Sequence, residues 1–163
     1  MFSSHLFGAP SRAPHFFAGL VLMLAALGAR ADEITVRVIT GSDFRAAHEA
    51  LVEAIESEGL VVGAVLPFRD MLSRTAGASR QAPFAEAEIV QFCSSAVAWK
   101  MVEETPEQLA FCPLSIALYT QPGEAAVRLA YRSPGAQTAA RREAGSLLER
   151  ILDKAVGLAR LRW

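Results

Sequence analysis

Cys93 and Cys112, with 18 residues between them, are the two thiols of this chain. Three uses fit such a pair. One is a structural disulfide, and another is a pair of buried thiols that pack as small hydrophobes. The third is thiolates that bind metal or haem, or exchange electrons. The spacing is not C-x-x-C, so no thioredoxin-like exchange motif is written here. Geometry weighs on the disulfide if parallel strands joined by a helix carry the two cysteines. A ten-residue helix spans about 15 Å, whereas a disulfide needs its Cα atoms within about 7 Å.

His48 shares a helical face with Phe44, Leu51 and Val52. Such an imidazole is expected to be partly buried and satisfied by an ordinary partner; its other use is as a proton carrier or metal ligand. Ser94 and Ser95 stand where a helix should begin, either as plain caps or beside N–H groups free to hold an anion. Lys100 is expected in solvent, though it could face a ligand. Trp99 and Met101 read as packing residues, and Met101 with His48 would make a haem axial pair. Candidate ligand-binding residues are therefore Cys93, Ser94, Lys100, Cys112 and His48, and the candidates for metal are Cys93, Cys112 and His48. Glu103, Glu104 and Glu107 surround Pro106 and read as a solvated acidic face, because no calcium-loop spacing is present.

Common enzyme signatures are missing. The chain holds no G-x-S-x-G nucleophile turn, no G-x-x-x-x-G-K-[ST] phosphate loop and no G-x-G-x-x-G turn. The reading is a binding or accessory module rather than an enzyme, with no cofactor expected. The alternative is a periplasmic redox or metal- or haem-binding protein that uses Cys93, Cys112 and His48.

These residues must be delivered and positioned. Residues 1–31 begin with one basic side chain, Arg12, run through 12 uncharged apolar residues over 16–27, and end in Ala29-Arg30-Ala31. A basic start, a short apolar centre and an A-x-A end predict a secretory signal peptide cleaved after Ala31. The run is shorter than the ~20 residues of a spanning helix, so no stable membrane anchor is expected after cleavage. Arg12, Arg30, His5 and His15 leave with the signal; the remaining chain holds 14 basic and 17 acidic side chains and a single histidine. A periplasmic or secreted location follows, and with it a compartment where disulfides persist. Charge this near to neutral leaves no footprint for nucleic acid.

The mature part, 32–163, is long enough for one domain with its own core. Alternation predicts strands over 33–40 and 114–119, an apolar run between Gly59 and Pro67 one over 60–66, the Ile89-Val90 centre one over 87–93, and the hairpin turn a returning strand over 126–132. Apolar spacings of three and four predict helices over 43–59 and from 138 onward, the Ser94/Ser95 cap and the Pro106 stop one over 95–104, and Pro67 a short one over 68–75. Gly59 sits at a left-handed helix stop, Gln121-Pro122-Gly123-Glu124 is a hairpin turn, and 76–83 is an exposed loop. The stripe Leu147, Leu148, Ile151 and Leu152 of the last helix is expected to be core rather than dimer surface. Strands and helices in this order make an α+β fold, a single sheet with helices packed on one face.

Two aromatic-cysteine steps carry a resemblance. Phe92-Cys93-Ser94-Ser95-Ala96 leads into the helix with Lys100-Met101-Val102, and Phe111-Cys112-Pro113-Leu114 leads into a strand and the Pro122-Gly123 hairpin. Together with the helix from Asp43 to Gly59, this resembles the DUF302 family, a prokaryotic domain of unknown function, over 43–134. The resemblance implies a small α+β domain with one mixed sheet of about five strands, commonly a homodimer, and no activity. Ser94-Ser95 and Pro113 stand where many relatives carry Asn-Pro and Asn, which marks a divergent, exported branch.

Overall fold

The computed structural model describes residues 34–76, 80 and 83–162. The segment read as a signal peptide, 1–31, lies outside the described residues, as does most of the predicted loop over 76–83. Ten elements follow in order: β1 Ile34–Ile39, α1 Phe44–Ser57, β2 Val61–Leu66, α2 Phe68–Ala76, β3 Glu86–Cys93, α3 Ser95–Glu104, a 3-10 turn Pro106–Phe111, β4 Leu114–Thr120, β5 Val127–Arg132 and α4 Ala139–Leu161.

Local chemistry sets the element ends. Asp43 accepts a 2.7 Å hydrogen bond from the Ala46 amide and caps α1. At its other end Gly59, with φ +74°, reverses the chain. The amide of Leu60 donates to Ile55 and that of Gly59 to Glu56, the paired bonds of a Schellman stop. Gly123 at φ +79° turns β4 into β5.

The strands form one sheet in the order β1-β5-β4-β3-β2. Every pair is antiparallel, where a mixed sheet was expected. The reason is the connection between β3 and β4: α3 runs away from the sheet end, and the 3-10 turn brings the chain back to that same end. Nothing carries it across the sheet to start a parallel strand.

One face of the sheet is core. Phe92, Ile116, Leu118 and Leu129 pack there with Leu51 and Ile55 of α1, Met101 of α3, and Leu148, Ile151 and Leu152 of α4. The stripe of α4 is thus buried within its own domain, as the sequence predicts. Ala47, Ala50 and Ala54 of α1 and Ala144, Ala155 and Ala159 of α4 are also buried; small side chains let two helices approach closely. On edge strand β1, Ile34, Val36 and Val38 alternate with the inward-facing residues and remain exposed. Helix α2 has no buried residue. Among the described residues no helix is long and apolar enough to cross a membrane.

The far end of α3 is clamped. Glu104 accepts from the Ala140 amide at 3.0 Å, helping Thr138 cap α4, and from Gln108 Nε2 at 3.1 Å. Gln108 Oε1 accepts from Arg141 Nε at 3.2 Å, and the Arg141 guanidinium lies 4.4 Å over the Phe111 ring. The Thr138 hydroxyl, the Ala140 amide and Gln108 together hold the Glu104 carboxyl below its ordinary titration range. Glu103, Glu104 and Glu107 are all exposed, as the sequence reading of a solvated acidic face has it, and Glu104 in addition ties the end of α3 to the first turn of α4.

Candidate functional site

Antiparallel register decides where the cysteines go. Phe92 of β3 pairs with Leu114 of β4, so Cys93 ends one strand beside the segment that opens the other. Cys112 lies in that segment, two residues before β4. The parallel crossover considered from sequence, with the thiols near opposite strand ends, does not occur. Both are free thiols, Cys93 exposed and Cys112 half-buried. Burial pushes the Cys112 thiol up, and the neighbouring Cys93 thiol pushes it further in the same direction.

Cys93 opens onto a groove of about 460 Å³. One wall is the end of α1 and the start of β2 (Glu58, Gly59, Leu60 and Val61), and the other is the first turn of α3 (Ser94, Ser95 and Ala96). Val61 is the register partner of Cys93 across β2 and β3, which fixes the width of the mouth. Ser94 is buried and its hydroxyl accepts from the Val97 amide at 3.4 Å. Its side chain is thus engaged as a cap, while the earliest N–H groups of α3 have no partner within the helix.

The other sequence candidates lie elsewhere. Lys100 sits further along α3, where Nζ pairs with the Glu143 carboxylate at 2.8 and 2.9 Å beside a second groove. His48 on α1 places Nδ1 2.8 Å from Oε2 of Glu88 on β3, both side chains 28% exposed. Glu88 precedes Cys93 by five strand residues, about 17 Å of extended chain. A metal site built jointly from His48, Cys93 and Cys112 is thus not assembled. Among the described residues no three His, Cys, Asp or Glu side chains are grouped to hold a metal ion. Met101 is fully buried in the core, so its sulfur packs and does not pair with His48 on a haem.

Glu88 is the residue that motif reading missed. It stands on the same face of β3 as Val90 and Phe92. A charged residue on a core-facing row was the available signal, since a carboxylate there needs a partner. The nearest such group is His48. Oε2 of Glu88 is shut off from solvent and makes no hydrogen bond of good geometry, so the contact to His48 is close but poorly aligned.

Comparison with known proteins agrees with this architecture. The profile described as "Domain of unknown function DUF302" matches residues 34–158. No curated protein matches the chain. Among solved structures, the "uncharacterized conserved protein DUF302 from Bacillus stearothermophilus" is similar, with a TM-score of 0.59 and 16% identity, covering 80% of this chain and 99% of its own. At that identity the likeness is one of fold.

Proposed function

The chain belongs to the DUF302 family, and from that premise we propose that it is a binding or accessory module rather than an enzyme. Its site is the groove beside Cys93. The observation that carries this reading is that an exposed thiol, Cys93, opens onto a groove walled by the first turn of α3, with a second free thiol, Cys112, at the same end of the sheet. A small polar or anionic ligand, or a short extended segment of a partner, suits such a surface. The module acts outside the cytoplasm after cleavage at Ala31, a reading supported by the apolar run and the A-x-A end in the sequence. A second copy of the chain is its proposed partner, supported by the exposed row Ile34, Val36 and Val38 on an edge strand.

The test is a thermal-shift screen of the mature chain against small anions and polar metabolites. Ala96 is exposed on the groove wall, so Ala96→Trp should fill the groove, keep its own melting temperature and abolish any ligand-induced shift. Saturable turnover of a small substrate, lost in Cys93→Ala, would replace the module with an enzyme.

A further inference from the structure

We propose that Cys93 and Cys112 are a reversible dithiol–disulfide couple, in which Cys93 meets a disulfide-bearing partner and Cys112 resolves the mixed disulfide. This deepens the reading of the Cys93 groove as a binding site and rests on it.

Four observations carry the couple. First, the Phe92–Leu114 register brings both cysteines to the same end of neighbouring strands. Continued by one residue, that register sets Cys93 opposite Pro113, the immediate chain neighbour of Cys112, and a disulfide accepts Cα separations of about 4.4–6.8 Å. Second, both cysteines are free thiols, and Cys93 is one of the groups that raise the Cys112 thiol, as a near neighbour does. Third, exposure divides the roles: Cys93 faces solvent and the groove, whereas Cys112 is half-buried. Fourth, the groove of about 460 Å³ gives an incoming disulfide room to reach Cys93.

The chemistry balances with a partner disulfide as the oxidant. The Cys93 thiolate attacks one sulfur of R–S–S–R′, forming Cys93–S–S–R and releasing R′–S⁻. The Cys112 thiolate then attacks the Cys93 sulfur, forming the Cys93–Cys112 bond and releasing R–S⁻. Two protein thiols lose two electrons, the partner disulfide gains them, and the two thiol protons pass to the released thiolates. The reverse sequence, driven by an incoming dithiol, restores both cysteines.

Glutathione supplies the probe. The folded mature chain is equilibrated in buffers of rising oxidised-to-reduced glutathione ratio, and its thiols and intact mass are read at each step. Wild type should pass from two thiols to none while retaining no glutathione, and reduced glutathione should reverse the change. Cys112→Ser, or Cys112→Ala should the first fail to fold, should hold one glutathione on Cys93. In Cys93→Ser the half-buried Cys112 should react at least about tenfold more slowly than Cys93 does. Glutathione left on wild-type Cys93 beside a free Cys112 would overturn the couple. So would two thiols surviving in fully oxidised buffer, or a bond that reduced glutathione leaves intact. The thermal-shift screen separates the two claims. Exchange lost with groove binding intact defeats the couple alone, and groove binding lost with exchange intact defeats the binding reading alone.

Discussion

Gln108 is 1% exposed and bridges two charged side chains, so its removal measures how firmly α3 is held against α4. Hydrogen bonds to charged groups contribute about 1.5–3 kcal/mol each when buried. Glu104 is exposed and Arg141 only half-buried, so water recovers part of each, leaving about 1 kcal/mol per bond. Truncation to alanine also leaves a small void, at about 1 kcal/mol. Gln108→Ala should therefore destabilise the chain by about 2–3 kcal/mol, and Gln108→Leu, which refills the space, by about 2. For a domain of this size that is a fall in melting temperature of roughly 8–12 °C for the alanine variant. Urea unfolding of both variants gives the free energies. A double-mutant cycle with Arg141→Met should return a coupling above about 0.5 kcal/mol. If Gln108→Leu unfolds within about 0.5 kcal/mol of wild type, the network does not clamp the helix. Loosening α3 should also quicken the labelling of Cys112, because the same helix begins beside the thiol pair.

Two further outcomes follow. Ile151 of α4 is fully buried, so Ile151→Ala should cost about 2–5 kcal/mol in chemical unfolding; a loss under about 1 would remove the helix from the core. The Lys154 ammonium, helped by Arg150 and opposed by burial, lowers the Glu58 carboxyl, and Glu104 is lowered by its own hydrogen bonds. A carboxyl lowered on folding stabilises fully above its unfolded value and ceases to do so as pH falls through its folded one. The melting temperature should therefore fall on acidification below about pH 4.5, and Glu58→Gln should flatten that descent.

Periodicity made the elements legible. Alternation marked the first and fourth strands, apolar β-branched runs the second and third, three-and-four spacing the first and last helices, and Asp43, Gly59 and Gly123 punctuated them as their backbone preferences require. Strand direction was harder to read, because a helix between two strands looks the same in sequence whether the chain crosses the sheet or returns to the same end. That ambiguity set Cys93 and Cys112 at opposite strand ends, whereas the structure places both at the same end of the β3–β4 pair. The 3-10 turn from Pro106 to Phe111 was hidden by its length, being too short to show a period. Pairings over long separations leave no local trace either. Glu88 with His48, and Glu104 with the Ala140 amide, each hold elements that sequence spacing cannot show to be neighbours.

The sheet order sets a schedule for assembly. β1 pairs with β5 alone, and α1 packs heavily on α4, so the earliest described strand and helix find their neighbours only far along the chain. The β3–β4 and β4–β5 pairings close over short stretches and can form early. Until α4 emerges, Leu51 and Ile55 have no full cover. Contacts this distant along the chain slow folding, and they leave the N-terminal elements exposed to association with other chains while synthesis finishes.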